Sequence, residues 1–425
     1  MASFSFGAGN AGKLVRLPLY AAGRLATLLV PRSDDEWVFG CGAGIGEGAL
    51  ALWQVVAEAG HPAVWLTGSE REEQDAAAHG IPTLPKHSVR GFWRTARARV
   101  IVVTHGFGDV NRYAVSGAFV AQLWHGIPLK RIGLDSPATV RSGILPGSRL
   151  VRRILAAMYR GAAQRIAVLP AASHVVRGRL ESAFGIADVH VPVTGEPRVD
   201  VLSQGDPDAR RSAARAEISR LAGDVGEARL VLYAPTWRDG APDPAVPTAA
   251  EWRALVTALD ERDAVLLVRS HPLGAGEYTV PFATDRVRGI GSALAPDVTP
   301  LLSGLDALVT DYSSLVFDTS LVPMPVLFLA PDVEEYARER GFYGRYEDVA
   351  GLDHATTWAE ATQQLIAVLD DPAERERRLE RARDLDTRIH AYRDGRNTRR
   401  VYRAILSGLG RRITSDLPET AEGIS

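Results

Sequence analysis

Short, uniformly apolar runs recur along the chain, each bounded by glycine, proline or polar residues, and between them apolar residues return at helical spacing. The runs at 37–39, 63–66 and 100–103 are too short for buried helices and lack the alternation of a half-exposed strand. Each reads as a strand buried on both faces, while 121–123 reads as a short strand and 165–169 as the next one. The second half repeats it at 230–234, 264–269, 307–310 and 326–329. Helical periodicity predicts helices over 49–59, 148–165, 250–260 and 356–370, and one long charged helix from Pro372 to about Leu406. Strands alternating with helices in this way form parallel sheets with crossover helices.

A chain of 425 residues exceeds one ordinary core and suits two domains of roughly 200 residues each. The Pro/Gly punctuation of Val191-Pro192-Val193-Thr194-Gly195-Glu196-Pro197-Arg198 marks the linker between them. The expected organisation is a basic amphipathic segment (1–34), an N-terminal Rossmann-like domain (35–194), a C-terminal Rossmann-like domain with a closing helix (195–410) and a disordered polar tail (411–425). The fold class is therefore α/β: two doubly wound, Rossmann-type domains facing a central cleft, with ligands at the C-terminal ends of the strands.

Composition narrows the partners. Hydrophobic residues at 46% and charged residues at 24% describe an ordinary globular protein, and a net charge of −2 gives no electrostatic case for nucleic acid. The single cysteine, Cys41, excludes an internal disulfide and a cysteine-rich metal site, which fits a reducing cytoplasm. No run approaches the roughly 18 to 20 apolar residues of a membrane span. The first 33 residues nevertheless carry Lys13, Arg16, Arg24 and Arg32 without an acidic residue, interleaved with leucines. Such a segment either lies on an anionic membrane surface or packs as an ordinary first helix.

Candidate chemistry gathers after the apolar runs, where α/β domains hold ligands. Trp124-His125-Gly126-Ile127-Pro128-Leu129-Lys130-Arg131 offers a histidine with its ordinary pKa near working pH, a glycine that permits close approach, and two cations for an anionic acceptor. Pro235, Thr236 and Arg238 follow 230–234, supplying a hydroxyl and a guanidinium fork suited to phosphate. Arg269-Ser270-His271-Pro272 follows 264–269, with the proline holding His271 extended. Thr310-Asp311-Tyr312-Ser313-Ser314 precedes a short helical pattern containing Asp318, placing two hydroxyls beside free backbone N–H groups. Plain N-capping is the alternative for the serines, and a histidine hydrogen-bonded at a domain interface is the alternative for His125. The glycines at 40, 42, 44, 46 and 48 are spaced G-x-G-x-G rather than G-x-G-x-x-G and form a tight strand-to-helix turn rather than a nicotinamide site. No acidic or histidine set has metal-ligand spacing, so neither metal nor cofactor is expected.

In order, WHGIPLKRIGLD (124–135), GEPRVD (195–200), YAPTWRD (233–239), RSHP (269–272), TDYSSLVFD (310–318) and RGFYGRYED (340–348) resemble the CDP-glycerol glycerophosphotransferase family of teichoic acid and capsule synthesis. The resemblance spans about residues 37–403. It implies a GT-B-like pair of domains and transfer of a polyol phosphate from CDP-glycerol or a related CDP-polyol to a lipid-linked or polymeric acceptor, with CMP released at the cytoplasmic face of the cell membrane. By motif, His125 is the implied base and His271 the implied stabiliser of the diphosphate. Trp124, Gly126, Ile127, Pro128, Arg198, Pro235, Thr236, Arg238, Arg269, Ser270, Ser313, Ser314 and Asp318 are implied on the donor, and Lys130 and Arg131 on the acceptor. Val199 stands where the family commonly has Asn, Ile127 where it commonly has Thr, and the large polymerases' N-terminal extension has no counterpart. These departures leave the polyol, and primase against polymerase action, open. A sugar-nucleotide glycosyltransferase and a non-catalytic nucleotide-binding module are the alternatives from other classes.

Overall fold

The computed structural model describes residues 17–136, 139, 148–238, 242–270 and 278–410. His271, the first sixteen residues of the basic segment and the tail beyond 410 lie outside the described residues. The chain divides into two compact units. The first holds residues up to 125, those of 139–198 and those from 396 on; the second holds 126–138 and 199–395.

The first unit carries a six-stranded parallel sheet of β1 (Trp37–Phe39), β2 (Ala63–Thr67), β3 (Thr83–Pro85), β4 (Val100–Val103), β5 (Phe119–Gln122) and β6 (Ile166–Val168), in the order β3-β2-β1-β4-β5-β6. The central strands are buried on both faces, which is why their sequences run apolar without alternation. The helix Glu47–Glu58 places Leu52, Trp53 and Val56 against Trp37, Phe39 and Trp65. The last helix, Asn397–Gly408, follows the second unit in sequence but packs Val401, Tyr402, Ile405 and Leu406 into this same core. Each such side chain contributes on the order of 1.5–3 kcal/mol by leaving water.

The second unit carries a five-stranded parallel sheet of β7 (Arg229–Ala234), β8 (Ala264–Val268), β9 (Val287–Gly289), β10 (Ala307–Thr310) and β11 (Val326–Phe328), in the order β11-β10-β7-β8-β9. Its core gathers Tyr233, Trp252, Trp358 and Leu365, and the buried Trp358 indole donates to the Ala245 carbonyl at 2.6 Å. The helix Ala249–Asp260 begins with a capping box between Thr248 and Glu251.

The single long helix expected after Pro372 is two: Pro372–Ile389 and Asn397–Gly408. His390 leaves the helical conformation, and its Nε2 lies 2.8 Å from the Phe317 carbonyl oxygen. Gly395 turns the chain at φ +63°, and Gln204 donates to its carbonyl at 2.8 Å. The Asp394-Gly395 pair is the turn signal that marks this break in the sequence.

Each sheet reverses its strand order once, between β1 and β4 in the first unit and between β7 and β10 in the second. At such a reversal the flanking crossovers leave on opposite faces and open a crevice beyond the strand C-termini. Both crevices are lined by residues with chemistry to offer.

Candidate active site

In the first unit, the turn after β1 lies directly against the loop after β4. A Cβ on Gly40 would stand 2.3 Å from the Asp109 carbonyl oxygen, and one on Gly42 would stand 2.6 Å from the His105 ring, so both positions require glycine. The buried Asp109 carboxylate ties the second loop down, accepting from the backbone N–H groups of Thr104 (3.0 Å), His105 (2.7 Å) and Gly106 (3.2 Å). Thr104 Oγ1 donates to Cys41 Sγ at 3.2 Å and lies 2.8 Å from His105 Nδ1. Burial lowers the His105 pKa to about 4 and leaves the ring neutral, while burial raises Asp109 to about 6 and pushes the Cys41 thiol up.

His125 enters this arrangement from the chain leaving β5. Its ring stacks on His105 with centroids 4.3 Å apart and planes 3° from parallel. The preceding Trp124 adopts φ +63°, a conformation that costs a bulky L-residue about 1–2 kcal/mol. Packing holds it there, since Trp124 is 8% exposed and meets Phe184 edge-on at 5.1 Å. Glu47, which opens the helix Glu47–Glu58, has φ +54°. Among the described residues three non-glycines have positive φ, and two of them flank this cluster. Strain concentrated beside titratable groups is a mark of function.

In the second unit, Thr236 and Arg238 follow β7, and Asp311 follows β10. The Thr236 backbone N–H donates to Asp311 at 2.8 Å. Arg238, 7% exposed, donates to Asp311 at 2.8 Å and to both oxygens of Asp332 at 2.8 and 2.9 Å, and lies over the Tyr312 and Tyr336 rings. Its fork therefore holds two carboxylates rather than facing a ligand, and it ties the β7 loop to the β10 loop. Thr236 Oγ1 is buried and has no hydrogen-bond partner among the described residues. Ser313 and Ser314 are half-buried at the entry of the helix Leu315–Thr319, where Ser313 Oγ accepts from the Leu315 N–H at 3.2 Å. That helix has five residues, too short for much of a dipole, so the serine hydroxyls and local N–H groups are what it offers an anion. Asp318 is buried within it, and Pro235 and Ser270 are half-buried at strand ends.

Arg269 donates to the carbonyls of Ile290, Ala295 and Pro296, bracing the loop beyond β9. Arg198, in the first unit, is buried and paired with Glu196 at 2.8 Å. Gly126, at φ +153°, leads into the buried Ile127 and Pro128. Lys130 and Arg131 pair with the strand-like segment around Phe342: Arg131 N–H donates to the Gly341 carbonyl at 2.9 Å, and Tyr343 N–H to the Leu129 carbonyl at 3.0 Å. Tyr343 also donates to Asp135 at 2.6 Å, so the sequence motifs at 124–135 and 340–348 meet here. Burial brings the Lys130 pKa down to about 8, with Asp311 opposing the shift and Arg340 and Arg238 adding to it.

A cleft of about 800 Å³ in the second unit is lined by Ala228, Val265, Asp260, Asp263, Arg286 and Arg288, at the N-terminal ends of β7 and β8. Its charges answer one another, Arg286 pairing with Asp260 and Asp263, and it lies away from the ligand-bearing ends of the strands.

The sequence singles out His125, whereas His105, Glu47 and Asp109, which the fold gathers beside it, carry no motif there, and Cys41 stands in it only as a compartment marker. Thr104-His105-Gly106 directly follows the buried run 100–103, the same position rule that singled out His271 after 264–269.

Two doubly wound units, each with a parallel sheet and polar groups at its switch point, make a GT-B-like fold. The chain belongs to the CDP-glycerol:poly(glycerophosphate) glycerophosphotransferase family, whose sequence pattern matches residues 46–407, and it is an enzyme of that family. It is 28% identical to the teichoic acid glycerol-phosphate transferase of Staphylococcus aureus, over 68% of this chain and 72% of that protein. It is 30% identical to the teichoic acid poly(glycerol phosphate) polymerase of Staphylococcus epidermidis over 54% of this chain, which spans only 31% of that longer protein. The solved wall teichoic acid polymerase TagF superposes with a TM-score of 0.74, covering 94% of this chain and 96% of the solved chain at 19% identity, a likeness of fold.

Proposed function

We propose that the protein transfers glycerol phosphate from CDP-glycerol to a hydroxyl of a lipid-linked teichoic-acid acceptor. The observation that carries this reading is His125, stacked on a neutral His105 at the β1/β4 switch point behind a strained Trp124. The names of the relatives support the substrate class, and one TagF structure was soaked with CDPG.

In the proposed reaction the acceptor oxygen attacks the phosphorus that carries glycerol, the bond from that phosphorus to the CMP oxygen breaks, and CMP leaves. His125 takes the proton of the attacking hydroxyl. Thr236, Ser313 and Ser314 hold the donor phosphates through hydroxyls and backbone N–H groups, and His271 stabilises the departing charge by its place in the RSHP motif. Arg238 acts as a positioning residue, since its donors fix Asp311 and through it the Thr236 loop. Lys130 and Arg131 serve the anionic acceptor. Phosphoryl transfer of this kind depends on positioning and charge stabilisation, each group contributing about 2–4 kcal/mol. Incubation with CDP-glycerol, CDP-ribitol and UDP-sugars tests the donor: CMP from CDP-glycerol alone is expected, and turnover of UDP-sugars alone would overturn the reading.

No helix among the described residues is long and apolar enough to cross a membrane. The proposed seat at the inner membrane face rests on two helices of the first unit. The helix Leu17–Leu29 exposes Leu19, Leu25, Leu28 and Leu29, and the helix Arg149–Ala163 exposes Leu150, Ile154 and Met158 in one stripe beside exposed Arg149, Arg152 and Arg153. An apolar stripe flanked by arginine binds anionic lipid by burial and charge together. Co-sedimentation with phosphatidylglycerol vesicles is expected to fall about tenfold or more when Leu150, Ile154 and Met158 are replaced by Ser; unchanged sedimentation would refute the seat.

A further inference from the structure

We propose that Cys41, Glu47 and His105 form a binding site for a divalent transition-metal ion of the zinc class. A thiol, a carboxylate oxygen and a ring nitrogen from these three residues all lie within 4.8 Å of one another. Around one tetrahedral ion such atoms stand about 3.4–3.7 Å apart, so closure needs a contraction of about 1 Å. The Glu47 carboxylate, whose Oε2 already lies 3.7 Å from Cys41 Sγ, supplies it by rotation about its side-chain torsions.

The donor set is selective. Sulfur with imidazole and one carboxylate favours zinc, cobalt and nickel, and disfavours magnesium and calcium, which take all-oxygen sites. Three protein ligands leave a fourth position open, the arrangement of exchangeable rather than purely structural zinc sites.

Neighbouring groups hold these three residues in place. Thr104 Oγ1 touches both Cys41 Sγ and His105 Nδ1, fixing two of the ligands relative to each other. The Asp109 carboxylate locks the loop that carries His105 through three backbone N–H groups. Gly42 has no side chain where the His105 ring lies, and Cys41 is only 5% exposed. The ligands at 41, 47 and 105 come from two loops and a helix start, so no short spacing in the sequence announces them. On binding, the Cys41 thiol releases its proton to solvent and the thiolate sulfur bonds the ion.

The site goes beyond the proposed transferase reaction and does not depend on it. Occupancy would fix the imidazole on which His125 stacks, and only that consequence rests on the role given to His125.

The test is cobalt titration of the tag-free, full-length, chelator-treated protein, read by absorption and by metal content per chain. The expected result is one cobalt per chain with a thiolate-to-cobalt charge-transfer band. Cys41→Ser should abolish the band, His105→Ala should weaken binding at least tenfold, and His79→Ala, at an exposed histidine outside the cluster, should bind as wild type. Circular dichroism confirms that each variant folds, and wild type with His105→Ala decides the matter if Cys41→Ser does not. Sub-stoichiometric cobalt in folded wild type, or identical titrations for wild type and His105→Ala, would overturn the proposal. Because no turnover is measured, failure here leaves the transferase reading untouched, and an inactive enzyme that binds cobalt leaves the site standing.

Discussion

Lys130 shows how burial converts a common side chain into a tuned one. Its ammonium is held at a pKa of about 8, chiefly because burial disfavours the charged form. A folded value below the unfolded one, about 10.4, means the folded state binds this proton less tightly. Protonation of Lys130 therefore costs stability below about pH 8, and stability recovers as pH climbs from there toward the unfolded value. Affinity for an anion runs the other way, since the charge disappears as pH rises through about 8. KM for an anionic acceptor is expected to rise about tenfold between pH 7 and pH 9, and Lys130→Met should be weak at both and nearly flat. A wild-type profile matching that of Lys130→Met would contradict the role. At this scale the sequence was readable where a residue stood beside an obvious neighbour: Lys130 is five residues from His125. It was unreadable where the partner is distant, as with Lys130 and Asp311, or His105 and Cys41.

At the scale of elements, the decisive features are the loops leaving β1, β4 and β5 in the first unit and β7 and β10 in the second. The Arg238 clamp joins the last two by pairing with Asp311, and reaches the loop after β11 by pairing with Asp332. Removing the arginine would strand the buried Asp311, a change that costs about 3–5 kcal/mol. Arg238→Ala should accordingly lower the urea midpoint well beyond an exposed control such as Arg253→Ala, and reduce donor binding with it; an unchanged midpoint would show the clamp to be dispensable. The central strands were legible because double burial writes an unbroken apolar run. The edge strands β3 and β9 were not: both are only partly buried, with burial spread unevenly along three residues. The break at 390–396 was missed because charge-rich helical periodicity on both sides outweighed a single Asp-Gly signal.

For the whole molecule, two sheets of like topology arise from a chain that builds the first unit with one excursion into the second over 126–138, then builds the rest of the second and returns to the first. The returning helix is part of the first core, so the two-domain pattern in the sequence, though correctly a pair of doubly wound folds, assigned that helix by position rather than by packing. Ile405 is fully buried there. Ile405→Ala should cost about 2–5 kcal/mol, seen as a lower denaturant midpoint for the first unit, and a loss under about 0.5 kcal/mol would mean that the helix adds little to that core. The reaction class was legible because six motifs fall in order along one chain; the cluster of Cys41, Glu47 and His105 was not, because only folding gathers it.

The central claim is that this fold holds a polyol-phosphate transferase whose base is His125. Its most direct test is CMP release from CDP-glycerol with a lipid-linked acceptor, comparing wild type with His125→Ala under single turnover at saturating donor. The prediction is CMP release by wild type and a loss of two or more decades in the variant with donor affinity within about threefold. Equal rates in the two proteins would contradict it.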